Sequence, residues 1–460
     1  MARKKKTVFV CQDCGSESPK WLGQCPVCGA WNTMAEEKIP QIDKDDKRRR
    51  GGSEGEKKNR PRSLSHVQAA GGGQRLDTGI GELNRVLGGG LVKGSLTLIS
   101  GEPGIGKSTL IMQAADRISG RYGKVLYVTG EESEEQIKLR ADRICRQLNE
   151  DFFVLAETNI ENITAAVEEL QPVFMIIDSI QTMYTEELDS APGSVSQVRT
   201  IGNELMRIGK VMNIPVFIVA HVTKSGELAG PKTVEHMVDC VLNFVGERSQ
   251  ELRILRALKN RFGTTSEVGA FEMGQEGLAE VKDLSRRFLE DIGAAREGSV
   301  VTATYEGTRP LLMEVQALAA ATNMNFARRT AIGIENSRLN MIIAVLERRA
   351  GMSLIDQDIY VNVVGGMRPE GTSTDLAVAL AIHSTRVGKP CNSKVLALGE
   401  IGLTGELRPV PSAEKIVREA VRMGFEKIIL PQSQAKKLAS AGVGIRICGV
   451  DDVAQAIRSY

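Results

Sequence analysis

The sequence predicts an α/β protein of more than one domain, with a mainly parallel central sheet. Three observations lead there. Apolar runs of strand length, Leu96–Ser100, Val125–Thr129, Val173–Asp178 and Pro215–Ala220, are near-continuous, as buried parallel strands are. The first of them runs into GEPGIGKS, Gly101 to Ser108, and then into a helical pattern, Ser108 to Ile118. Far upstream, two Cys-x-x-Cys pairs stand ten residues apart. At 460 residues the chain is also too long for one ordinary domain.

Bulk properties exclude more than they assign. Hydrophobic residues make up 42% and charged residues 25%, the balance of a globular protein. A net charge of +2 leaves any nucleic-acid argument to local basic clusters. No apolar run is long enough to span a bilayer, so no membrane partner is expected. The basic start, Arg3 to Lys6, leads only into a short VFV run, which is not a signal-peptide core. Four of the eight cysteines lie within the first 28 residues, and a reducing cytoplasm fits that usage.

The first element, residues 1–34, carries Cys11, Cys14, Cys25 and Cys28, with Gly15 and Gly29 after the two pairs. Two knuckles of this spacing supply four thiolates to a tetrahedral Zn²⁺, a zinc ribbon. So short a segment buries too little core to fold unaided, so the metal would be structural. Disulfides are the alternative. Residues 35–65 read as a flexible linker. From Gln41 to Ser65 there are nine Lys/Arg, five Asp/Glu and no aromatic residue.

Residues 66–284 form the next domain. GEPGIGKS fits the phosphate-binding pattern G-x-x-x-x-G-K-[ST]. Gly101, Glu102, Pro103, Gly104, Ile105, Gly106, Lys107, Ser108 and Thr109 are therefore the expected ATP contacts. Glycines let backbone N–H groups face the phosphates, and the helix dipole adds positive potential. Lys107 would reach the β- and γ-phosphates, and Ser108 would hold Mg²⁺. Asp178 ends the run VFMIID and is the second expected Mg²⁺ residue. Glu131 and Glu132 follow Val125–Thr129, a strand expected beside the phosphate-loop strand; Glu131 is preferred as the base that orients water. His221 closes the run VFIVA and is a candidate sensor of the γ-phosphate. Lys259 and Arg261, in KNRFG, could reach one phosphate together.

Residues 285–460 change in character. Strands are expected near Ser299–Tyr305, Leu311–Gln316, Tyr360–Val364 and Val395–Glu400. Helices are expected near Glu335–Ala350, Thr374–Val387 and Ser412–Met423. This is a second α/β domain with its own core.

Taken together, the four-cysteine motif, LDTGIGELNRVLGGGLVKGSLTLISGEPGIGKST and KNRFG resemble the RadA (Sms) family of bacterial DNA repair proteins over essentially the whole chain. The resemblance implies a RecA-like ATPase core and a C-terminal domain similar to the Lon protease. It implies a hexameric, DNA-dependent ATPase, a DnaB-like motor on single-stranded and branched DNA that partners the RecA recombinase. In such rings, the Lys259/Arg261 pair acts on a neighbour's nucleotide. Loops Gln181–Ser196 and Val222–His236 would face the channel, with Lys224 and Lys232 on DNA phosphates and Arg199 a weaker candidate. The Lon likeness raises a rival, an ATP-dependent Ser–Lys protease with Ser373 in register. The lysine's place, however, holds Glu414, and Lys415 is one residue, ~100°, off on the helix. Arg328, Arg329 and Arg338 are then candidate contacts to duplex phosphates. A RecA-like strand-exchange recombinase and a KaiC-like ATPase are further alternatives.

Overall fold

The computed structural model describes residues 6–11, 16–39, 63, 75–145, 148–220, 232–246, 252–289, 295–322, 326–364, 368–369, 371–439, 442 and 444–460. The chain divides into two compact units, Met1–Glu280 and Val281–Tyr460.

The first unit opens with a small antiparallel sheet. Strand β1 (Lys6–Cys11) lies between β2 (Glu17–Ser18) and β3 (Met34–Ile39). Its core is minimal: Cys11, Cys25 and Met34, with Phe9 packed against them. So little apolar burial cannot hold a fold without a crosslink or a metal.

The rest of the unit is built on one sheet, nine-stranded among the described residues. Helix α1 (Gly81–Leu87) precedes β4 (Leu96–Gly101), and α2 (Lys107–Tyr122) leads to β5 (Val125–Thr129). Next come α3 (Glu134–Ile144), β6 (Phe152–Ala156), α4 (Ile160–Leu170), β7 (Phe174–Asp178), α5 (Val195–Met212) and β8 (Val216–Val219). Helix α6 (Lys232–Met237), β9 (Cys240–Val245), β10 (Leu252–Asn260), β11 (Val268–Gly274) and β12 (Gly277–Glu280) complete it. Six strands run parallel in the order β9-β4-β8-β7-β5-β6, and β10, β11 and β12 extend the β9 edge antiparallel.

Both faces of the parallel strands are covered, which explains their unbroken apolar sequences. Leu98, Val128, Ile177 and Ile218 pack with Val198, Ile201, Leu205 and Ile208 of α5. Ile99, Tyr127, Phe174 and Phe217 form the other face with Ile111 and Ala115 of α2.

One expectation is overturned here. β5 does not lie beside β4; β8 and β7 stand between them. β5 pairs instead with β7, Thr129 opposite Asp178. Consecutive strands are often neighbours, but crossover connections let later strands fill the place between them, as β7 and β8 do here.

The second unit has its own sheet, seven-stranded among the described residues, in the order β15-β16-β14-β13-β17-β20-β21. Its elements are α7 (Leu284–Leu289), β13 (Ser299–Glu306), β14 (Arg309–Ala321), β15 (Arg329–Ile332), α8 (Asn336–Arg349), β16 (Gln357–Val363), α9 (Asp375–Val387) and β17 (Val395–Ala397). A small pair, β18 (Glu400–Ile401) and β19 (Leu407–Arg408), precedes α10 (Ala413–Arg422), β20 (Lys427–Pro431), α11 (Gln432–Ala439), β21 (Arg446–Val450) and α12 (Val453–Ser459).

Arg338, expected as a duplex-phosphate contact, is committed elsewhere. Its Nε donates to Asp375 Oδ1 at 3.0 Å, its Nη2 pairs with Oδ2 and also donates to the Ile401 carbonyl at 3.1 Å. Asp375 is buried, and it would be an uncompensated charge without this fork. Arg338→Ala should therefore destabilise the C-terminal unit by about 3 kcal/mol, read as a shift in urea midpoint. A shift no larger than that of an exposed arginine, such as Arg348→Ala, would show the pair to be dispensable.

Candidate nucleotide and metal sites

The phosphate loop sits at the carboxyl edge of the parallel strands. Gly104 and Gly106 take φ of +77° and +112°, and Gly106 caps the start of α2. A side chain on Gly101 would put its Cβ 2.5 Å from the Phe244 carbonyl oxygen, so only glycine fits that close approach. Glu102, Pro103 and Gly104 are exposed, Ile105 is buried beneath the loop, and Ser108 and Thr109 are half-buried on the first turn of α2. No acidic residue stands in that turn to oppose an anion.

Lys107 is 3% exposed. Its Nζ donates to the carbonyls of Gly101 at 2.8 Å and Glu102 at 3.0 Å. Burial pulls its pKa down to about 8, although Asp178 and Glu131 both favour the cation. The β5–β7 pairing explains how those carboxylates come near: one strand ends at Asp178, and the other runs through Thr129 to Glu131. Glu131 accepts from the Ser179 hydroxyl at 2.5 Å. Glu132 is paired with Arg140 instead, and its carbonyl accepts from Thr129 Oγ1 at 3.1 Å. The two glutamates thus have different surroundings, with Glu131 the one turned toward the loop lysine's field.

Two residues with weak sequence signals support this cluster, and a third, Asp239, stands at the other end of the sheet. Tyr127, on β5, donates its hydroxyl to Asp178 Oδ2. Gln197, 1% exposed at the start of α5, bonds to Thr185, Leu188 and Ser190 and so pins the base of the loop after β7. Asp239 accepts from the Leu96 amide at 3.1 Å, Lys210 at 3.0 Å and Arg261 at 3.3 Å. An amphiphilic Tyr in an apolar strand and a Gln within a helix's apolar stripe are weak sequence signals, because each also occurs on ordinary surfaces.

Lys259 and Arg261 lie at the opposite end of the sheet from the phosphate loop. β10 runs antiparallel to β9 and sets Asn260 against Cys240, which faces Thr97 near the start of β4. Gly101 faces Phe244 at the far end of β9. From Cys240 to Phe244 is about 13 Å at ~3.3 Å per residue. Lys259 Nζ donates to the carbonyls of Glu235 and His236 at 2.8 and 3.2 Å, and Arg261 is exposed beside Asp239.

In the N-terminal sheet, the thiols of Cys11, Cys25 and Cys28 lie within 4.8 Å of one another. Thr33 Oγ1 is 3.2 Å from the Cys11 sulfur, and Ser16 Oγ is 3.0 Å from that of Cys25. Three soft donors at this spacing fit a tetrahedral Zn²⁺. Cys14, His221 and Lys224 lie outside the described residues. Lys232 is the first residue of α6.

In the C-terminal unit, Arg328 is exposed, and its neighbour Arg329 opens the edge strand β15. Ser373 is buried and donates to the Ala303 carbonyl at 3.1 Å. Lys415 donates to the Tyr305 hydroxyl at 2.7 Å, while Glu414 pairs with Arg418. Neither Glu414 nor Lys415 is a hydrogen-bonding partner of the serine.

The depressed Lys107 pKa has a testable sign. Only the ammonium form attracts phosphate, and bound phosphate raises its pKa again. Nucleotide affinity should therefore hold below about pH 8 and fall above it, approaching tenfold per pH unit. Calorimetry in buffers of different ionisation enthalpy should show proton uptake on binding near pH 8; none at that pH would contradict a half-deprotonated amine.

Residues 9–36 match a family model described as a rubredoxin metal binding domain, 60–227 one described as an AAA domain, and 314–434 one described as subunit ChlI of Mg-chelatase. The chain is 48% identical over 457 residues to the DNA repair protein RadA of Bacillus subtilis, covering 99% of each. It is 47% identical to that of Halalkalibacterium halodurans, covering 99% of this chain and 98% of that one. It is 44% identical to that of Listeria monocytogenes, covering 100% and 99%. Among solved structures, the ATPase domain of G40P overlays 46% of this chain and 94% of its own at a TM-score of 0.41 and 14% identity. Full-length identity at this level, together with matches to a metal-binding N-terminal domain, an AAA phosphate-loop core and a ChlI-type C-terminal region, makes this chain a member of the RadA family of DNA repair proteins.

Proposed function

We propose that this chain is the subunit of a homo-hexameric, DNA-dependent ATPase of recombinational repair in the cytoplasm. It is a ring motor that moves on single-stranded DNA and extends or migrates the branches of strand-exchange intermediates made by RecA. One observation carries the reading: Lys107, Asp178 and Glu131 gather at one end of the sheet, and Lys259 and Arg261 stand at the other. A pair so placed is out of reach of its own nucleotide and is available to a neighbour's.

In this mechanism the loop Gly101–Thr109 binds the triphosphate of ATP, and Lys107 neutralises it. Ser108 and Asp178 would hold Mg²⁺, which supplies charge neutralisation on the phosphates when bound. Glu131 orients the attacking water, with its carboxylate fixed by Ser179. Lys259 and Arg261 of the adjoining subunit stabilise the charge that develops on the transferred phosphoryl group. His221 relays loss of that group to the following loop. Lys224 and Lys232 track DNA phosphates without reading bases, and Arg328 and Arg329 grip duplex at the C-terminal unit. The partners of Ser373 and Lys415 leave that serine without a base, so the Lon-like unit acts as a scaffold without proteolysis. The four cysteines would hold Zn²⁺ as a structural ion.

Subunit mixing tests the split site. Lys107→Ala and Arg261→Ala should each lose at least about 100-fold in DNA-stimulated phosphate release. Mixed in equal amounts, they should recover about a quarter of the wild-type rate, because that share of interfaces pairs an intact loop with an intact arginine. No recovery on mixing would place both groups in one subunit's site and remove the ring mechanism. Separately, Cys25→Ser should take bound zinc from about one ion per chain to near none by atomic absorption. An unchanged zinc content would reject the ribbon as its site.

A further inference from the structure

The mechanism above gives no role to Tyr127, and its setting is unusual. The side chain is fully buried in the middle of β5, among Val and Leu, with its ring 6.4 Å from that of Phe152. Packing alone would be served by phenylalanine, since a buried phenol needs a partner for its hydroxyl. That partner is the Asp178 carboxylate, through Oδ2. The Ser108 side chain stands near the same phenolic oxygen and favours its ionised form. Ser108 is on the first turn of α2, Tyr127 lies on β5 and Asp178 ends β7. One hydroxyl therefore ties β5 to β7 beside the first turn of α2, and the groups on either side of it are those assigned to Mg²⁺.

We propose that Tyr127 is a positioning residue for the Mg²⁺ site, acting through Asp178. The inference rests on the ATPase reading. By occupying Oδ2, the phenol fixes the rotation of the carboxylate and leaves Oδ1 for the cation's shell. Partners that orient metal ligands in this way are worth about 10–100-fold in metal affinity.

The test uses the full-length chain and a fluorescent methylanthraniloyl-ATP probe, titrated with Mg²⁺ from chelator upward. In Tyr127→Phe, probe binding without Mg²⁺ should match the wild type. The Mg²⁺ midpoint for probe binding, and for hydrolysis, should rise about 10–100-fold. At saturating Mg²⁺, the KM for ATP should return to the wild-type value. Asp178→Asn should raise the same midpoint, and adding Tyr127→Phe to it should raise it no further, because the phenol acts through that carboxylate. An unchanged midpoint in Tyr127→Phe overturns the proposal, as does additivity in the double variant. Loss of probe binding in the absence of Mg²⁺ would also overturn it, since the hydroxyl would then be structural. Failure of the underlying ATPase reading is distinguishable: wild type and Lys107→Ala would then bind the probe alike.

Discussion

A lysine ammonium almost shut off from water governs the chemistry of this molecule. A buried cation is stable only beside compensating charge or dipoles. Lys107 has two backbone carbonyls and the more distant fields of Asp178 and Glu131. Those suffice to hold it in place but not to keep it fully charged. A triphosphate supplies what is missing, so the same burial that weakens the cation makes anion binding selective. The glycine backbone, the helix start and the β5–β7 pairing all serve to build that environment.

The sheet order deserves the same physical reading. A parallel α/β sheet gathers its loops along one edge, and that edge becomes the site. The antiparallel addition of β10 returns the chain to the other edge and leaves Arg261 there. Asp239 anchors that second edge. It bonds the amide at the start of the phosphate-loop strand and the guanidinium of Arg261.

Much of this was legible in the sequence because the signals are local. The phosphate loop, the cysteine knuckles and the apolar strand runs each specify themselves within a few residues. The expected helices of the C-terminal domain also fall close to Asn336–Arg349, Asp375–Val387 and Ala413–Arg422. What could not be read was long-range. Nothing in Val125–Thr129 says that it pairs with β7 rather than β4. Nothing around Arg338 announces Asp375, 37 positions away, so a structural ion pair looked like an exposed cation. Tyr127 and Asp178 are 51 positions apart, and their bond exists only once two strands are neighbours.

The placement of KNRFG has a further meaning for regulation. If hydrolysis needs cations that one molecule cannot bring to its own nucleotide, a solitary subunit is a silent one, and dilution is an off-switch requiring no inhibitor. Fuel would be burned only where enough copies have gathered on a strand, so the decision to spend it belongs to the assembly.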